Sequence, residues 1–171
     1  GGNGAATLCN DGAAVNLFAA LNGTPDAGGT WSGPSAITGG MYDPAVMNPG
    51  AYVYTVAGAA PCTNASATVQ VNETGSPDAG GNGAATLCND GAAVNLFTAL
   101  TGTPDAGGTW SGGLVGGLFD PQVNAAGTYT YTVNATAPCV GAQADVVVAI
   151  TTAPDAGGNN TLTVCDQGAA T

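Results

Sequence analysis

The chain contains no lysine, no arginine and no histidine in its 171 residues. Nucleic-acid binding needs cations that neutralise phosphates, and attachment to anionic lipid needs a basic patch, so both kinds of partner are excluded. Enzymes of this composition would lack the usual general base, the Schiff-base amine and the guanidinium clamp. Only a carboxylate-only enzyme, such as a glycosidase with paired acids, stays formally open, and we predict that the protein is not an enzyme.

Charge of either sign is scarce. Only 6% of residues are charged, against about a quarter in an ordinary soluble domain, and the formal net charge of −11 comes from ten Asp and one Glu. Each carboxylate must therefore be hydrated, hydrogen-bonded or bound to a metal. The surface is consequently rich in Thr, Ser, Asn, Gly and Ala, which suits close lateral packing of neighbouring copies. No apolar run approaches the length of a membrane span, so no membrane insertion is expected.

The sequence repeats itself. Residues 1–33 recur at 80–112 with only two differences, Ala19→Thr98 and Asn22→Thr101. Cysteine and tryptophan markers place the period at 77–79 residues, which is typical of an array of equivalent units. We expect residues 1–76 to form repeat 1, residues 77–153 repeat 2, and residues 154–171 the start of a truncated repeat 3. The chain would then be one part of a longer array of repeats.

Each repeat contains short strands and frequent turns. In repeat 2 the clearest strands are Thr128–Val133, where apolar residues alternate with threonines, and Ala144–Ile150, where Val146, Val148 and Ile150 share one face. Val94–Leu100 is predicted as a strand, with a helical turn over Phe97–Leu100 as the competing interpretation. Six or seven strands with a turn signal every 8–12 residues predict an all-β fold, a row of β-sandwiches. The predicted core contains these aromatic residues: Trp31, Tyr52, Tyr54, Trp110, Tyr129 and Tyr131.

The cysteines allow two disulfide schemes. Bonds within repeats would join Cys9 to Cys62 and Cys88 to Cys139, leaving Cys165 for the missing part of repeat 3. Bonds across repeats would instead join Cys62 to Cys88 and Cys139 to Cys165. We favour the first scheme, because the 14 residues from Cys62 to Ser76 carry the chain roughly 45 Å before the next repeat begins. Structural disulfides predict an oxidising, extracellular setting.

Three further features each allow more than one interpretation. The motif Pro-Asp-Ala-Gly-Gly starts at Pro25, Pro77, Pro104 and Pro154, and its residues suit a tight turn. Its aspartates also suit calcium, which would stiffen connectors through an acidic set of Asp78, Asp90, Asp120 and Asp155; no other cofactor is expected. The two tryptophans would serve as core residues or as platforms that stack on a surface glycan. The threonine row of Thr128–Val133 would serve as a flat ice-binding face or simply as the solvent-facing side of a strand.

The chain resembles the tandem Ig-like or PKD-like repeats of very large cell-surface proteins of Bacteroidota, adhesin-type proteins exported by the type IX pathway and associated with gliding motility. The resemblance is carried by five stretches of repeat 2 and by the closing Pro154–Gly157: Leu87-Cys88, Leu96–Leu100, Gly107–Ser111, Gly127–Val133 and Cys139. It covers essentially the whole chain and implies Ig-like sandwiches that act as spacers outside the cell.

These observations predict a structural role. We expect an extracellular filament or a surface adhesin stalk that supplies reach, stiffness and self-association, with adjacent repeats or lateral copies of the chain as partners. The alternative is a β-sandwich module that binds a glycan or ice.

Overall fold

The structure is a computed structural model that describes residues 1–161 and 163. Repeat 1 contributes six strands: β1 Gly4–Cys9, β2 Val15–Asn16, β3 Thr30–Ser32, β4 Met41–Tyr42, β5 Gly50–Val56 and β6 Ala65–Thr74. Repeat 2 contributes their equivalents: β7 Gly83–Cys88, β8 Val94–Asn95, β9 Thr109–Trp110, β10 Leu118–Phe119, β11 Gly127–Val133 and β12 Ala142–Thr151. Three short 3-10 turns complete the list: Leu17–Ala20, Leu96–Ala99 and Ser111–Gly113.

The strands of each repeat form two sheets. In repeat 1 a four-stranded sheet has the order β1-β6-β5-β3, and β2 pairs with β4 in a second sheet; repeat 2 reproduces this with β7-β12-β11-β9 and β8-β10. The first strand of each repeat runs parallel to the last, with Cys9 level with Thr74 and Cys88 level with Thr151. The other pairs are antiparallel. Both sheets of a repeat share one apolar core, which makes each repeat a β-sandwich.

The long strands carry the core because their side chains alternate between the two faces. Along β6, Ala67, Val69 and Val71 are buried whereas Gln70 and Asn72 are exposed, and β12 follows the same pattern. The aromatic rings fill the space between sheets in the same way in both repeats. Tyr42 meets Tyr52 edge to face at a centroid distance of 5.3 Å, and the equivalent rings in repeat 2 are 5.2 Å apart.

A tyrosine fixes the corner before the longest antiparallel hairpin. The Tyr52 hydroxyl donates to the carbonyl oxygen of Asn48 at 2.7 Å, and the Tyr129 hydroxyl donates to that of Ala125 at 2.7 Å. Such a corner, four residues back along the chain, is a hallmark of immunoglobulin sandwiches. Together with the side-by-side order β3-β5-β6 and the parallel first strand, it confirms the predicted fold, a tandem of Ig-like sandwiches.

The second strand of each repeat is shorter than predicted. Residues 94–100 form a two-residue strand and a 3-10 turn, so the competing interpretation was nearer the structure. The reason is local: the side-chain oxygen of Asn95 accepts the backbone N–H of Phe97 at 3.0 Å, which ends the strand. The turn then directs Leu96 into the core, where 1% of its surface is exposed.

Nothing in the part of the chain that the structure describes is a helix long and apolar enough to cross a membrane.

Candidate functional site

The joint between the two repeats is the most distinctive site of the molecule. Each repeat has two ends. At its exit end the last strand leaves, beside the cysteine that closes the first strand (Cys9 beside Thr74; Cys88 beside Thr151). At its entry end lies the loop that precedes the last strand, residues 57–64 with Cys62 or residues 134–141 with Cys139. Each repeat therefore has one cysteine at each end.

A disulfide bond closes this joint. It links Cys9 at the exit end of repeat 1 to Cys139 at the entry end of repeat 2, across 130 residues of sequence. The two Cα atoms are 4.9 Å apart, within the range that a disulfide spans. Only 9% of either residue's surface is exposed. The repeats are thus joined at two covalent points, the linker and the disulfide.

This bond corrects both predicted pairing schemes. Cys9–Cys62 and Cys88–Cys139 do not form, because the two cysteines of one repeat lie at opposite ends of the same sheet. The ten-residue strand β6 that separates those ends is about 30 Å long, far beyond the reach of a disulfide. Within the described residues, Cys62 and Cys88 have no disulfide partner. Cys165, assigned above to the missing part of repeat 3, lies outside the described residues.

Side chains from repeat 1 hold the start of the linker. The backbone N–H of Asn10 donates to the carbonyl of Thr74 at 3.0 Å, and the Asn10 side-chain oxygen accepts the N–H of Ser76 at 2.8 Å. Asn10 therefore fixes the chain as it leaves the sheet. The disulfide lies next to this anchor in the sequence, so the turn at residues 9–12 contributes Cys9 to the disulfide and Asn10 to the hydrogen bonds that hold the linker.

Repeat 2 holds the rest of the linker by a pair of matching motifs. The Pro-Asp-Ala-Gly-Gly motif occurs in the linker at residues 77–81 (the linker motif) and within repeat 2 at residues 104–108 (the internal motif). Asp78 and Asp105 exchange two hydrogen bonds: the N–H of Asp105 donates to the Asp78 carbonyl at 2.8 Å, and the N–H of Asp78 donates to the Asp105 carboxylate at 2.9 Å. The adjacent Ala79 is 3% exposed and belongs to the core of repeat 2. The linker is consequently part of the folded repeat.

The internal copy of the motif is held by a core tyrosine. In repeat 2 the hydroxyl of Tyr131 donates to the carbonyl of Asp105 at 2.7 Å and accepts the N–H of Gly108 at 2.8 Å. In repeat 1 the hydroxyl of Tyr54 does the same for Asp26 and Gly29, at 2.8 and 2.7 Å. The motif thus forms a turn that closes over the aromatic core.

The aspartates nominated for calcium do not meet in one place. Three of them cap local turns: their carboxylates accept the N–H of Gly80 (Asp78, 2.7 Å), Gln122 (Asp120, 2.9 Å) and Gly157 (Asp155, 2.8 Å). Asp90 lies in the turn after β7, at the position that Asp11 has in repeat 1. The described residues contain one group of three metal-type ligands, Asp11 with Cys9 and Cys139, and its two sulfurs are bonded to each other. Calcium binding stays a prediction.

The two tryptophans are only half-buried, whereas the four tyrosines predicted with them as core residues are buried. Trp31 packs on Tyr54 with ring centroids 5.0 Å apart, and Trp110 packs on Tyr131 at the same distance. Each tryptophan lines a cleft that opens to solvent, of about 590 Å³ beside Trp31 and about 240 Å³ beside Trp110. A phenylalanine from the 3-10 turn forms another part of each wall. An aromatic cleft therefore recurs in both repeats.

Repeat 1 also contains a polar pair that repeat 2 lacks. The hydroxyl of the buried Tyr42 donates to the carboxylate of Glu73 at 2.5 Å. Burial, and secondarily the hydrogen bond and charge of Glu73, raise the pKa of Tyr42 far above its usual value. The equivalent residues of repeat 2 are Phe119 and Ile150, neither of which has a polar side chain, so repeat 2 cannot form this hydrogen bond.

Comparison with known proteins adds little to this geometry. No family model and no curated protein matches the chain. Among solved structures, the insect immune protein hemolin is similar at 12% identity and a TM-score of 0.35, over 60% of this chain and 29% of hemolin. The titin fragment I67–I69, a three-Ig structure of an E-to-A variant, is similar at 11% identity and a TM-score of 0.41, over 87% of this chain and 63% of the fragment. The chain thus spans less than two thirds of either structure, and the likenesses carry no functional argument.

Proposed function

We propose that the chain is a load-bearing segment of an extracellular filament or surface adhesin stalk, in which Ig-like repeats are locked end to end. The observation that carries this proposal is the Cys9–Cys139 bond, which adds a second covalent connection to the linker. Two attachment points remove most of the freedom that a single flexible linker leaves between domains. Stiffness between repeats is what a stalk needs in order to project.

The composition supports an extracellular structural role. Disulfides persist in oxidising compartments, and this one joins two small sandwiches whose individual cores are limited. The chain offers no cation for general-base, Schiff-base or phosphate chemistry. Only 6% of residues are charged, so lateral copies of the same chain would meet mostly through neutral groups, and salt screens the repulsion between their carboxylates. A Bacteroidota adhesin array of the kind that the sequence resembles would meet all these conditions.

Small-angle X-ray scattering of the full chain tests the stiffness of the joint. The variant Cys9→Ser/Cys139→Ser should show a broader distribution of interatomic distances than the wild type, because only the linker then orients the repeats. The matched control is Cys62→Ser/Cys88→Ser, which removes the same number of sulfurs away from the joint and should scatter like the monomeric wild type. Identical curves for all three proteins would overturn the proposal.

A glycan-binding module is the second candidate, and the recurring aromatic cleft favours it. Half-buried tryptophans beside a phenylalanine are able to stack on the apolar face of a sugar ring. Titration with oligosaccharides should then shift the tryptophan emission, and Trp31→Phe should remove the larger part of the shift because its cleft is larger. Unchanged emission across a glycan panel would eliminate this candidate.

The threonine row of β11 fits ice binding poorly. The Thr130 hydroxyl donates to the Asp145 carboxylate at 2.7 Å, and Thr132 accepts a hydrogen bond from Gln143 at 3.2 Å. Hydroxyls that are engaged across the strand pair are not arranged for a flat array of water molecules, so we do not propose this activity.

A further inference from the structure

Two cysteines of the described chain have no partner in it, and they are the repeat equivalents of the two that are bonded. Cys88 occupies in repeat 2 the exit-end position that Cys9 occupies in repeat 1, and Cys62 occupies the entry-end position of Cys139. The structure thus contains both halves of a second joint, one at each end of the molecule.

The unbonded exit end has the same conformation as the bonded one. The N–H of Asn89 donates to the carbonyl of Thr151 at 2.9 Å, and the Asn89 side chain accepts the N–H of Ala153 at 2.7 Å. These bonds match those of Asn10 to Thr74 and Ser76. The four-residue turn is identical in sequence, Cys-Asn-Asp-Gly, and the N–H of its glycine donates to the cysteine carbonyl at 2.9 and 3.0 Å in the two copies.

The unbonded entry end is also preformed. The N–H of Cys62 donates to the carbonyl of Ala59 at 2.8 Å, as the N–H of Cys139 donates to that of Thr136 at 3.0 Å. The side chains differ mainly in exposure. Cys139 is buried against its partner, whereas Cys62 is exposed and Cys88 is half-exposed. The surface that is covered at the existing joint is therefore not covered by any described residue at either of these two positions.

The motif that would lead into a following repeat also forms the same turn as the motif in the linker. Residues 154–158 repeat the motif of residues 77–81, and the Asp155 carboxylate accepts the N–H of Gly157 at 2.8 Å, as Asp78 does for Gly80 at 2.7 Å. In the existing joint this motif docks on the internal motif of the following repeat. The exit end of repeat 2 therefore presents each element that the exit end of repeat 1 uses.

We propose that Cys88 of one copy forms a disulfide with Cys62 of a second copy, so that repeats join head to tail in a covalent row with one disulfide at every joint. This inference rests on the proposed structural function and identifies its partner as another repeat of the same type. The oxidant is a small-molecule disulfide such as oxidised glutathione. The Cys88 thiolate attacks that disulfide and releases one glutathione thiolate; the Cys62 thiolate then attacks the Cys88 sulfur and releases the second. Two cysteine thiols lose two electrons and two protons, and one glutathione disulfide becomes two thiols.

A mixing experiment with full-length chains tests the pairing. All proteins contain Cys165→Ser, so that residue 165 contributes no thiol. One variant also contains Cys62→Ser and retains only the exit thiol; the other contains Cys88→Ser and retains only the entry thiol. Each variant, and their equimolar mixture, is oxidised with glutathione disulfide at high protein concentration and analysed on non-reducing gels.

We expect the mixture to give covalent dimer at least tenfold faster than either variant alone, and the parent chain with both thiols to give a ladder of oligomers. Mass spectrometry should find Cys88 joined to Cys62; a protease that cuts at aromatic residues is needed, because the chain has no Lys or Arg. Equal dimer yields in the mixture and in the separate variants, or no dimer at all, would overturn the inference.

The same digest separates this inference from the proposed function. If the Cys9–Cys139 peptide is present and the monomer is stiff in scattering, but no Cys62–Cys88 bond forms, the head-to-tail pairing is wrong while the structural function survives. If the Cys9–Cys139 peptide is absent from the monomer, the proposed function itself loses its principal observation.

Discussion

The Cys9–Cys139 bond should limit how far the protein extends when it is pulled from its two ends. In the oxidised chain a stretching force passes from β1 through the disulfide into β12, two strands that are already extended. The two cysteines are 130 positions apart in the sequence, and the residues between them lie in a closed loop outside this path. Even complete unfolding of both sandwiches cannot add those residues to the end-to-end length.

The size of the effect follows from chain geometry. A fully extended chain spans at most about 3.3–3.6 Å per residue, so a loop of 130 residues withholds about 440 Å of contour length. Single-molecule force spectroscopy on the full chain should therefore find the variant Cys9→Ser/Cys139→Ser longer than the oxidised wild type by about 440 Å after the last unfolding event. Reduction of the wild type should give the same gain.

The control separates this bond from the pairs predicted by sequence. Cys62→Ser/Cys88→Ser should behave like the oxidised wild type, because neither residue belongs to the force path. If the bonds were Cys9–Cys62 and Cys88–Cys139 instead, that control would release about 350 Å, because the paired cysteines are 53 and 51 positions apart in the sequence. The reasoning would be refuted if Cys62→Ser/Cys88→Ser extended further than the oxidised wild type, or if the oxidised wild type extended as far as its reduced form.

Three further predictions concern the stability of single repeats in denaturant unfolding. Gly83→Ala should lower the free energy of unfolding by several kcal/mol, because its new Cβ would lie 1.8 Å from a carbonyl oxygen of the 3-10 turn. In the control Gly75→Ala the new Cβ meets nothing within 4 Å, so stability should change by less than about 0.5 kcal/mol. Equal effects of the two substitutions would contradict the close approach at Gly83. Tyr129→Phe should lower the free energy of unfolding by about 1–2 kcal/mol, because the carbonyl of Ala125 loses its hydroxyl donor. An unchanged stability would mean that this hydrogen bond does not stabilise the fold. Tyr42→Phe should cost about 1–2 kcal/mol near pH 8 through the lost hydrogen bond to Glu73. Since the pKa of Tyr42 is raised above its usual 10.0, that contribution is complete below pH 10 and is lost as the pH rises further, so the variant should lose less stability than the wild type between pH 8 and pH 11.

Strand positions were predictable where alternation was long enough. The pattern of residues 128–133 and 144–150 predicted strands that the structure extends to Gly127–Val133 and Ala142–Thr151. Alternation succeeds here because one face of each strand is buried, which fixes the period of two. The short second strand was predicted less well, because a single side-chain hydrogen bond from Asn95 decides where it ends.

The disulfide was not predictable from strand positions alone, because the pairing depends on strand direction. In a sandwich of purely antiparallel neighbours, the end of the first strand and the start of the last would lie at the same end of the sheet, and Cys9 would meet Cys62. Here β1 runs parallel to β6, so the two cysteines are separated by the length of that strand. The positions of the cysteines relative to the strands are the same in either case, so they do not decide between the two pairings.

That arrangement also explains why the joint requires no ion pairs. A chain without cations cannot hold adjacent repeats together by salt bridges, and at a net charge of −11 its repeats repel each other at low ionic strength. Cohesion must come from bonds that charge does not weaken. The structure supplies two kinds at the same turn: the Asn10 side chain that holds the linker, and the disulfide of the adjacent Cys9. Asn89 and Cys88 repeat this pair at the far end of repeat 2, so under the proposed Cys88–Cys62 pairing each joint would be held by the same two kinds of bond.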